Sequence, residues 1–217
     1  MKEPHGVFKA IVIDNVDPEN SGRVKVRLPQ PGVPGENGYE AWARVATLMA
    51  GAHRGSWFMP DLNDEVVVAF EQGDLRRPYV LGALWNAASP PPENGDAANN
   101  RKVLRSRNGV KITLDDQPGQ ESVVIETPGG QKLTLKDGPD ALELTDGNGN
   151  SVELQTAGIT LRTSSKVTLN ASVVEINSGM VSVDAGMAKF SGVVQCDTLI
   201  SNSVVSASYT PGAGNLR

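Results

Sequence analysis

The sequence predicts an all-β protein in two parts, a small antiparallel barrel or sandwich followed by a β-helix that three intertwined copies build together. Short runs rich in Val, Ile, Trp and Phe alternate with Gly, Pro, Asn and Asp turns, without helical periodicity of any length. Eight of the ten aromatic residues lie among the first 85 of 217 residues, and the remaining part repeats pairs of aliphatic residues. The first part can therefore build a conventional core, whereas the second needs another way to bury its side chains.

The strands of the first part are short and separated by turn residues. Residues 24–28 alternate apolar side chains with Arg and Lys, which is typical of a half-buried strand. Further runs lie at residues 8–13, 41–48, 56–60, 65–70 and 79–85. Five or six strands of this length within 90 residues indicate a small antiparallel barrel or sandwich.

A compositional break follows the first part. Residues 86–100 contain three consecutive prolines and many small polar residues, a composition typical of a linker or shoulder. We therefore expect a barrel domain, a linker or shoulder, a β-helix and a C-terminal tail. Their expected bounds are 1–88, 89–102, 103–208 and 209–217.

The second part repeats aliphatic pairs spaced i and i+2. The first pairs are Ile112 and Leu114, Val123 and Ile125, Leu133 and Leu135, Leu142 and Leu144, and Val152 and Leu154. The later pairs are Ile159 and Leu161, Val167 and Leu169, Val174 and Ile176, Val181 and Val183, Ala188 and Phe190, and Val194 and Cys196. The step between pairs is nine to eleven residues at first and about seven or eight from Val152 onward. This is an internal repeat of short strands, each with two inward side chains.

The step length favours three chains over one. Seven or eight residues extend about 25 Å, enough for one face of a coil and too short for a closed three-faced turn. If three copies intertwine, each supplies one face per layer and the aliphatic pairs converge on the axis. The alternative is a meander of hairpins in a single chain, which would leave one face of a long sheet uncovered.

Several stretches of the first part together resemble a known domain. They are SGRVKVRLP from residue 21, WARV from 42, AGAHRGSWFMP from 50, NDEVVVAFEQGD from 63 and RRPYVLGALWN from 76. In this order they resemble the OB-fold domain of the central spikes of contractile injection systems, the gpV-like phage baseplate proteins and the VgrG spikes of type VI secretion. The motif residues, to which the resemblance assigns a structural role, are Gly22, Trp42, Arg44, Gly55, Pro60, Asp64, Glu65, Gly73, Asp74, Pro78, Gly82 and Asn86.

The resemblance implies a homotrimeric central spike. Its OB domain would seat on a baseplate hub, and its β-helix would project as a rigid needle that pierces the target envelope and meets the target membrane transiently. Because the chain begins directly at the OB strands, the hub is expected to be a separate protein. The spike would be made in the bacterial cytoplasm and assembled into a phage tail, tailocin or other secreted contractile particle.

The C-terminal tail carries the expected tip. Residues 157–217 contain only seven charged side chains, so three copies would end in a nearly uncharged platform with unpaired strand edges. In the resembled family the partner at this end is a small PAAR-type tip protein. The expected tip-binding residues are Tyr209, Thr210, Pro211, Gly212, Ala213 and Gly214. The alternative is a frayed terminus.

Composition argues against several other classes of protein. The net charge of −5 gives no electrostatic footprint for nucleic acid. One cysteine and two histidines, His5 and His53, exclude a disulfide framework and the usual zinc clusters. We therefore expect no metal, no cofactor and no enzymatic activity. An HxH metal tip and an inserted lysozyme domain, which some phage spikes carry, have no counterpart in this sequence.

One motif imitates a calcium loop. Asp146, Asn148 and Asn150 match its start, but Ser151 stands at the sixth position instead of Gly and Ala157 at the twelfth instead of Glu. A Gly and Asn turn accounts for the motif. We therefore interpret it as a turn.

Four other residues invite a functional interpretation but have simpler ones. Cys196 replaces an aliphatic residue of the repeat, so we expect a small buried hydrophobe. His53 is expected on a loop. Arg76 and Arg77 are expected on a solvated turn, with a salt bridge to the hub as the alternative.

Two other functions remain as alternatives. One is an OB-fold module that recognises oligosaccharide or single-stranded nucleic acid on a trimeric fibre stalk, although the chain lacks clustered Arg and aromatic residues. The other is an enzyme such as a cell-wall hydrolase, for which the sequence offers no constellation of catalytic groups.

Overall fold

The computed structural model describes residues 6–29, 38–138 and 142–208. The chain divides into two compact units, Met1–Val167 and Thr168–Arg217. All strands of the described residues lie in the first unit, and no α-helix is present in the described part of either unit. The prediction of an all-β protein is confirmed.

The described residues of the first unit contain fourteen strands. They are β1 Val7–Asp14, β2 Arg23–Leu28, β3 Tyr39–Val45, β4 Ala50–Gly51, β5 Arg54–Gly55, β6 Glu65–Phe70, β7 Pro78–Leu84, β8 Arg101–Arg105, β9 Lys111–Asp115, β10 Ser122–Glu126, β11 Lys132–Lys136, β12 Leu142–Thr145, β13 Ser151–Gln155 and β14 Gly158–Arg162. A short 3-10 turn, Glu71–Gly73, follows β6.

Five strands close a barrel in the order β1-β2-β3-β7-β6. Neighbours are antiparallel except β3 and β7, which pair in parallel through Arg44 and Val45. Pairing of β1 with β6, from Val7 opposite Ala69 to Ile11 opposite Glu65, completes the closure. A five-stranded, partly Greek-key barrel of this kind is the OB-fold.

The barrel core is aliphatic. Its buried residues are Ala10, Val12, Val24, Val26, Leu28, Ala43, Val66, Val68 and Val80. Phe8 and Phe70 pack at its border with ring centroids 5.5 Å apart in an edge-on arrangement. Strand alternation places every second residue of β2 and β6 inside, and most of these are valines, so small β-branched residues fill the narrow interior. Most of the aromatic residues thus surround this core or face outward.

One predicted strand does not form. Residues 56–60 carry no strand, and the predicted strand at 41–48 ends at Val45. The parallel pairing of β3 with β7 closes the barrel without a further strand between them. The intervening chain instead makes the small β4–β5 hairpin.

The strands β8 to β14 form a second sheet in strict sequence order, an antiparallel meander. A glycine turn joins several of them: Thr127 N–H donates to the Gln131 carbonyl at 3.0 Å, and Gly130 N–H donates to the Thr127 carbonyl at 3.1 Å. Gly130 has φ +85°, the left-handed region that glycine adopts at no steric cost. The same pair of hydrogen bonds recurs around Gly109 and Gly149, so the turn type is a repeated feature.

Strand pairing within residues 101–162 is therefore internal to one chain. A step of nine to eleven residues holds a strand of four or five residues and a glycine turn, so consecutive strands can pair with each other. In this stretch the single-chain meander, which the sequence left as an alternative, is the observed arrangement. The strands β8 to β14 of one chain thus build a sheet together.

The second unit has no strand among its described residues, 168–208, and these residues are exposed. They still carry the aliphatic pairs of the repeat. Within the described part of the chain, their side chains have no partners that bury them.

Candidate interaction surfaces

One face of the β8–β14 sheet is a continuous apolar surface. The register of the six strand pairs aligns its side chains in two rows. The first row contains Leu104, Ile112, Ile125, Leu133, Leu144, Val152 and Leu161. The second contains Leu114, Val123, Leu135, Leu142, Leu154 and Ile159. Many of these side chains are exposed in the single chain, and a continuous exposed apolar surface marks an interaction site.

The opposite face of the same sheet is polar. Its central row aligns Val103, Thr113, Val124, Thr134, Glu143, Glu153 and Thr160. Ion pairs on this face include Arg162 with Glu153 at 2.9 Å and Lys111 with Glu126 at 3.9 Å. A sheet with one apolar and one polar face is built to have water on one side only.

The Pro-rich segment is tied to the sheet through Glu93. Its carboxylate lies 2.8 Å from the Lys111 ammonium and 3.2 Å from the Arg101 guanidinium. The hydrogen bond from Lys111, with Arg101 and Arg105 nearby, lowers the pKa of Glu93. A second link joins Arg107 of the β8–β9 turn to Asp61 before β6, at 2.9 Å. The ion pairs of Glu93 therefore anchor the Pro-rich segment to the sheet, and the Arg107–Asp61 ion pair anchors the β8–β9 turn to the residues before β6.

Two glycines of the predicted motif hold the loop that follows β3. Gly55 has φ +153°, and a Cβ there would lie 2.6 Å from the Met49 carbonyl oxygen. Gly22 has φ +71°, and a Cβ there would lie 3.6 Å from the Trp57 ring. The Ser56 amide donates to the Met49 carbonyl at 2.9 Å, so this loop is closed by backbone contact. Glycine is required at residue 55 because no side chain fits.

Three polar motif residues hold the start of β6 and the end of β7. The Asp64 carboxylate accepts the Asp61 amide at 2.8 Å, and the Val12 amide donates to the Asp64 carbonyl. The Asn86 amide group donates to the Glu65 carboxylate at 3.1 Å. These contacts fix where the chain enters and leaves the β6–β7 hairpin.

Two cation–π contacts lie on the outside of the barrel. The Arg23 guanidinium lies 5.7 Å from the Trp42 ring centre, and that of Arg44 lies 5.8 Å from the Tyr79 ring centre. The Tyr79 hydroxyl donates to Glu71 at 2.7 Å, and this bond together with burial raises the pKa of Tyr79. The motif residues Trp42 and Arg44 therefore stack with neighbouring strands.

The remaining motif residues occupy turns and strand ends. Asp74 accepts from the Arg76 guanidinium and backbone, which lowers the pKa of Asp74 to about 2. Gly73, with φ +77°, makes the turn before it. Pro78 opens β7 and is buried, while Gly82 lies in β7 with open space around it. Pro60 is half-buried, and its carbonyl accepts from Asn15 at 3.3 Å.

Four apolar side chains project from the loop after β3. Leu48 is 99% exposed, Trp57 and Phe58 are each 74% exposed, and Met49 is 51% exposed. They line or adjoin a groove of about 760 Å³ that includes His53 and Arg54. Sequence reasoning placed 56–60 in a strand and missed this surface, although Trp and Phe beside a Gly-rich turn were its signal. A cluster of this composition is typical of a protein contact.

His53 lies in the turn between β4 and β5 with φ +55°, which confirms the predicted loop position.

Asp146 accepts hydrogen bonds from Asn148 and Asn150. These bonds, of which the one from the Asn150 side chain contributes most, lower the pKa of Asp146 to about 2. The turn interpretation is confirmed. Cys196 is exposed in the single chain, so its predicted burial depends on contacts with other molecules.

The expected tip residues, Tyr209 to Gly214, lie outside the described residues. Within residues 6–29, 38–138 and 142–208, no group of three or more His, Cys, Asp or Glu side chains could hold a metal ion. In the same stretches no helix has the length and apolar composition needed to cross a bilayer.

Two family models match the chain. Residues 8–85 match the type VI secretion system/phage-baseplate injector OB domain. This stretch contains the strands of the barrel. Residues 122–182 match the phage baseplate V C-terminal trimerisation domain. The second match begins at β10 and continues past the last strand of the sheet.

The chain is also similar to curated spike proteins. It is 30% identical over 113 residues to the type VI secretion system spike protein VgrG3 of Vibrio cholerae, a match covering 49% of this chain and 11% of that protein. It is 30% identical over 125 residues to the spike protein VgrG1b of Pseudomonas aeruginosa, covering 53% of this chain and 17% of that protein. A third match, 29% identical over 10% of its length, is the actin cross-linking toxin VgrG1 of Vibrio cholerae. This chain spans between 10% and 17% of the length of the curated relatives that it matches.

Proposed function

Because this chain belongs to the family of phage-baseplate and type VI secretion spike proteins, with an injector OB domain and a baseplate V trimerisation domain, we propose that it is the central spike of a contractile injection apparatus. Three copies would form the spike. Its role would be mechanical: sheath contraction drives the needle through the target envelope, which it contacts transiently.

The apolar face of the β8–β14 sheet carries this proposal. Its two rows contain thirteen aliphatic side chains in all, and no other part of the described chain covers them. Exposed to water, such a face would drive aggregation, whereas three sheets turned toward a common axis would bury it. The match to a trimerisation domain supports this number of copies.

The polar face and the ion pairs suit the outside of such a needle. Arg162 with Glu153 and Lys111 with Glu126 lie on the face opposite the apolar rows. In the trimer this face would meet water and keep the rod soluble. The β8–β14 backbone, paired across the meander, would resist local unfolding under load.

We place the hub at the barrel end. The exposed cluster of Leu48, Met49, Trp57 and Phe58 supports docking of the barrel on a protein partner. A separate hub protein is the partner that we propose. At the opposite end, residues 209–214 would receive a PAAR-type tip protein, and the assembled particle would be a phage tail or a secreted contractile machine.

The nucleic-acid alternative finds little support on the barrel surface. Arg23 pairs with Asp17 at 2.8 Å, Arg76 pairs with Asp74 at 2.8 Å, and Arg77 lies 3.6 Å from Glu71. Cations that are already neutralised by carboxylates offer little to a phosphate backbone.

The test is the mass of the full-length protein by light scattering. We expect three copies at micromolar concentration. A monomer of 22.9 kDa would contradict the proposal, because the apolar rows and the aliphatic pairs of the second unit would then stay in water. A stable dimer would contradict it as well.

A further inference from the structure

The β8–β14 sheet has two lateral edges, each formed by turns and the strand ends beside them. Consecutive strands are antiparallel, so successive turns alternate between the two edges. The first edge holds the turns 106–110, 127–131 and 146–150 and the end of β14. The second edge holds the start of β8, the turns 116–121 and 156–157, and the end of β11. Both edges border the apolar rows, which lie between them.

Cations predominate on the first edge. Its cations are Arg105, Arg107, Lys111, Lys132 and Arg162, and its carboxylates are Glu126 and Asp146. Three of the cations form an ion pair within the chain: Arg107, Lys111 and Arg162. The other two, Arg105 and Lys132, are exposed and form no ion pair among the described residues.

Carboxylates outnumber cations on the second edge. Its carboxylates are Asp115, Asp116, Glu121 and Asp137, and its cations are Arg101, Lys102 and Lys136. Asp116 pairs with Lys102 at 2.9 Å. Asp137 is exposed and forms no ion pair within the described part of the chain. The second edge therefore carries an unpaired negative charge, and the first edge an unpaired positive one.

Strand β11 has one of these charges near each end. It begins at Lys132 and ends at Lys136, directly before Asp137. Five residues of extended chain separate the two α-carbons by about 17 Å, which is too far for an ion pair even with both side chains extended. Within one copy Lys132 and Asp137 therefore cannot meet.

We propose that the first edge of each copy docks on the second edge of the next copy, with Lys132 against the neighbour's Asp137. This inference rests on the proposed trimeric spike and names the surfaces that join its copies. Lys132 and Asp137 both lie within residues 122–182, the stretch that matches a trimerisation domain. The charges on the two edges are complementary, which suits a second copy of this chain as the occupant.

The geometry of three sheets around an axis brings these two ends together. The meander advances by one strand, about 4.8 Å, at each hairpin, and in the needle this direction is the axis. With the apolar rows turned inward, the two edges are the parts of each sheet closest to its neighbours. Rotation about the axis keeps β11 at one level, so the start of β11 in one copy meets its end in the next.

The contact also fixes the order of the copies. It joins two different surfaces, and a contact of this kind closes into a ring when the rotation between copies divides a full turn. Copies that met first edge to first edge would instead bring Arg105 and Lys132 of both together. Repulsion between like charges disfavours that arrangement.

Zero-length crosslinking of the full-length protein tests the contact. A carbodiimide joins a lysine amine directly to a carboxylate, so it reports only groups in contact. We expect a two-chain product in which digestion finds Lys132 joined to Asp137. Lys132→Arg is the control, because it keeps the charge and removes the amine: the number of copies stays the same and this product disappears. Lys111 and Glu93, 2.8 Å apart in one chain, give the single-chain link that verifies the reagent.

The outcomes separate this proposal from the proposed function. If light scattering shows three copies and no two-chain product joins Lys132 to Asp137, the docking of the edges fails while the spike remains. A two-chain product that joins Lys132 to Glu126, which lies on the same edge, would contradict the docking as well. If the protein is a monomer, the proposed function itself fails.

An exchange of charges provides an independent measurement. Lys132→Glu and Asp137→Lys each place like charges at the contact, and with three contacts per trimer we expect about tenfold weaker assembly. The double variant restores the attraction between copies, and recovery cannot arise inside one sheet because the two residues are too far apart. Analytical ultracentrifugation at a fixed urea concentration measures the assembly. Additive weakening in the double variant would overturn the proposal.

Discussion

The carboxylate of Asp17 and the guanidinium of Arg23 form a closely enclosed ion pair at the start of β2, with a separation of 2.8 Å. The Asp17 side chain is 6% exposed and that of Arg23 is 19% exposed. Asp17 also accepts the backbone amides of Glu19, Ser21 and Arg23. One carboxylate thus organises the whole β1–β2 turn and orients Arg23 over Trp42.

We predict that Asp17→Asn lowers the melting temperature of the barrel at neutral pH and has a smaller effect in acid. The hydrogen bonds from Arg23 lower the pKa of Asp17 in the folded protein. A lowered folded pKa stabilises the fold fully above the unfolded value of about 4, and this contribution declines as pH falls below that value toward the lowered folded pKa. The measurement is the melting temperature of both proteins between pH 7 and pH 2. A difference that stays constant over this range would contradict the prediction, and Asp197→Asn is the control for the change of charge.

We predict that Gly55→Ala destabilises the barrel by about 1–3 kcal/mol. A Cβ at this position would lie 2.6 Å from the Met49 carbonyl oxygen, and the positive φ adds backbone strain. Gly82→Ala is the matched control, since it lies in β7 with no atom within 4 Å of the added carbon. Urea unfolding of both variants measures the difference. Equal free energies of unfolding would show that the loop can move aside.

We predict that Leu135→Asp prevents assembly of the trimer while Lys136→Asp does not. The two residues are neighbours on β11, but Leu135 lies in an apolar row and Lys136 points to the polar face. A carboxylate buried without a partner costs several kcal/mol in each copy. Light scattering and analytical ultracentrifugation report the change. A trimer that tolerates both substitutions would place the interface elsewhere.

We predict that Glu93→Gln loosens the Pro-rich segment without changing the number of copies. The substitution removes the charge that Lys111 and Arg101 hold at 2.8 and 3.2 Å. We expect faster hydrogen exchange and faster proteolysis in residues 86–100. Glu121→Gln, on an exposed turn, is the control. Unchanged exchange in Glu93→Gln would mean that the prolines alone stiffen this segment.

The barrel could be predicted from the sequence because local signals agree with its tertiary structure. Apolar residues that alternate with Arg and Lys in 24–28, and the continuous β-rich run in 65–70, indicate strands, and these strands form where predicted. Residues 56–60 could not be predicted in the same way. Trp57 and Phe58 have high β propensity, but the parallel pairing of β3 with β7 leaves no place for them in the barrel, so they are exposed on a loop.

The sequence by itself determined the all-β fold, a small barrel or sandwich in the first part and the aliphatic repeat, because strand periodicity and turn residues are local properties of the chain. Closure of the barrel was decided by the tertiary structure, in which β3 pairs with β7 and β1 with β6. The tertiary structure decided which strands pair: one copy pairs with itself from β8 to β14 and has no pairing of its own in the described residues beyond Arg162. Aliphatic spacing alone is compatible with both arrangements, since it specifies which side chains share a face and leaves the backbone partner open. The backbone angles of the turn glycines, which the sequence does not specify, make the difference.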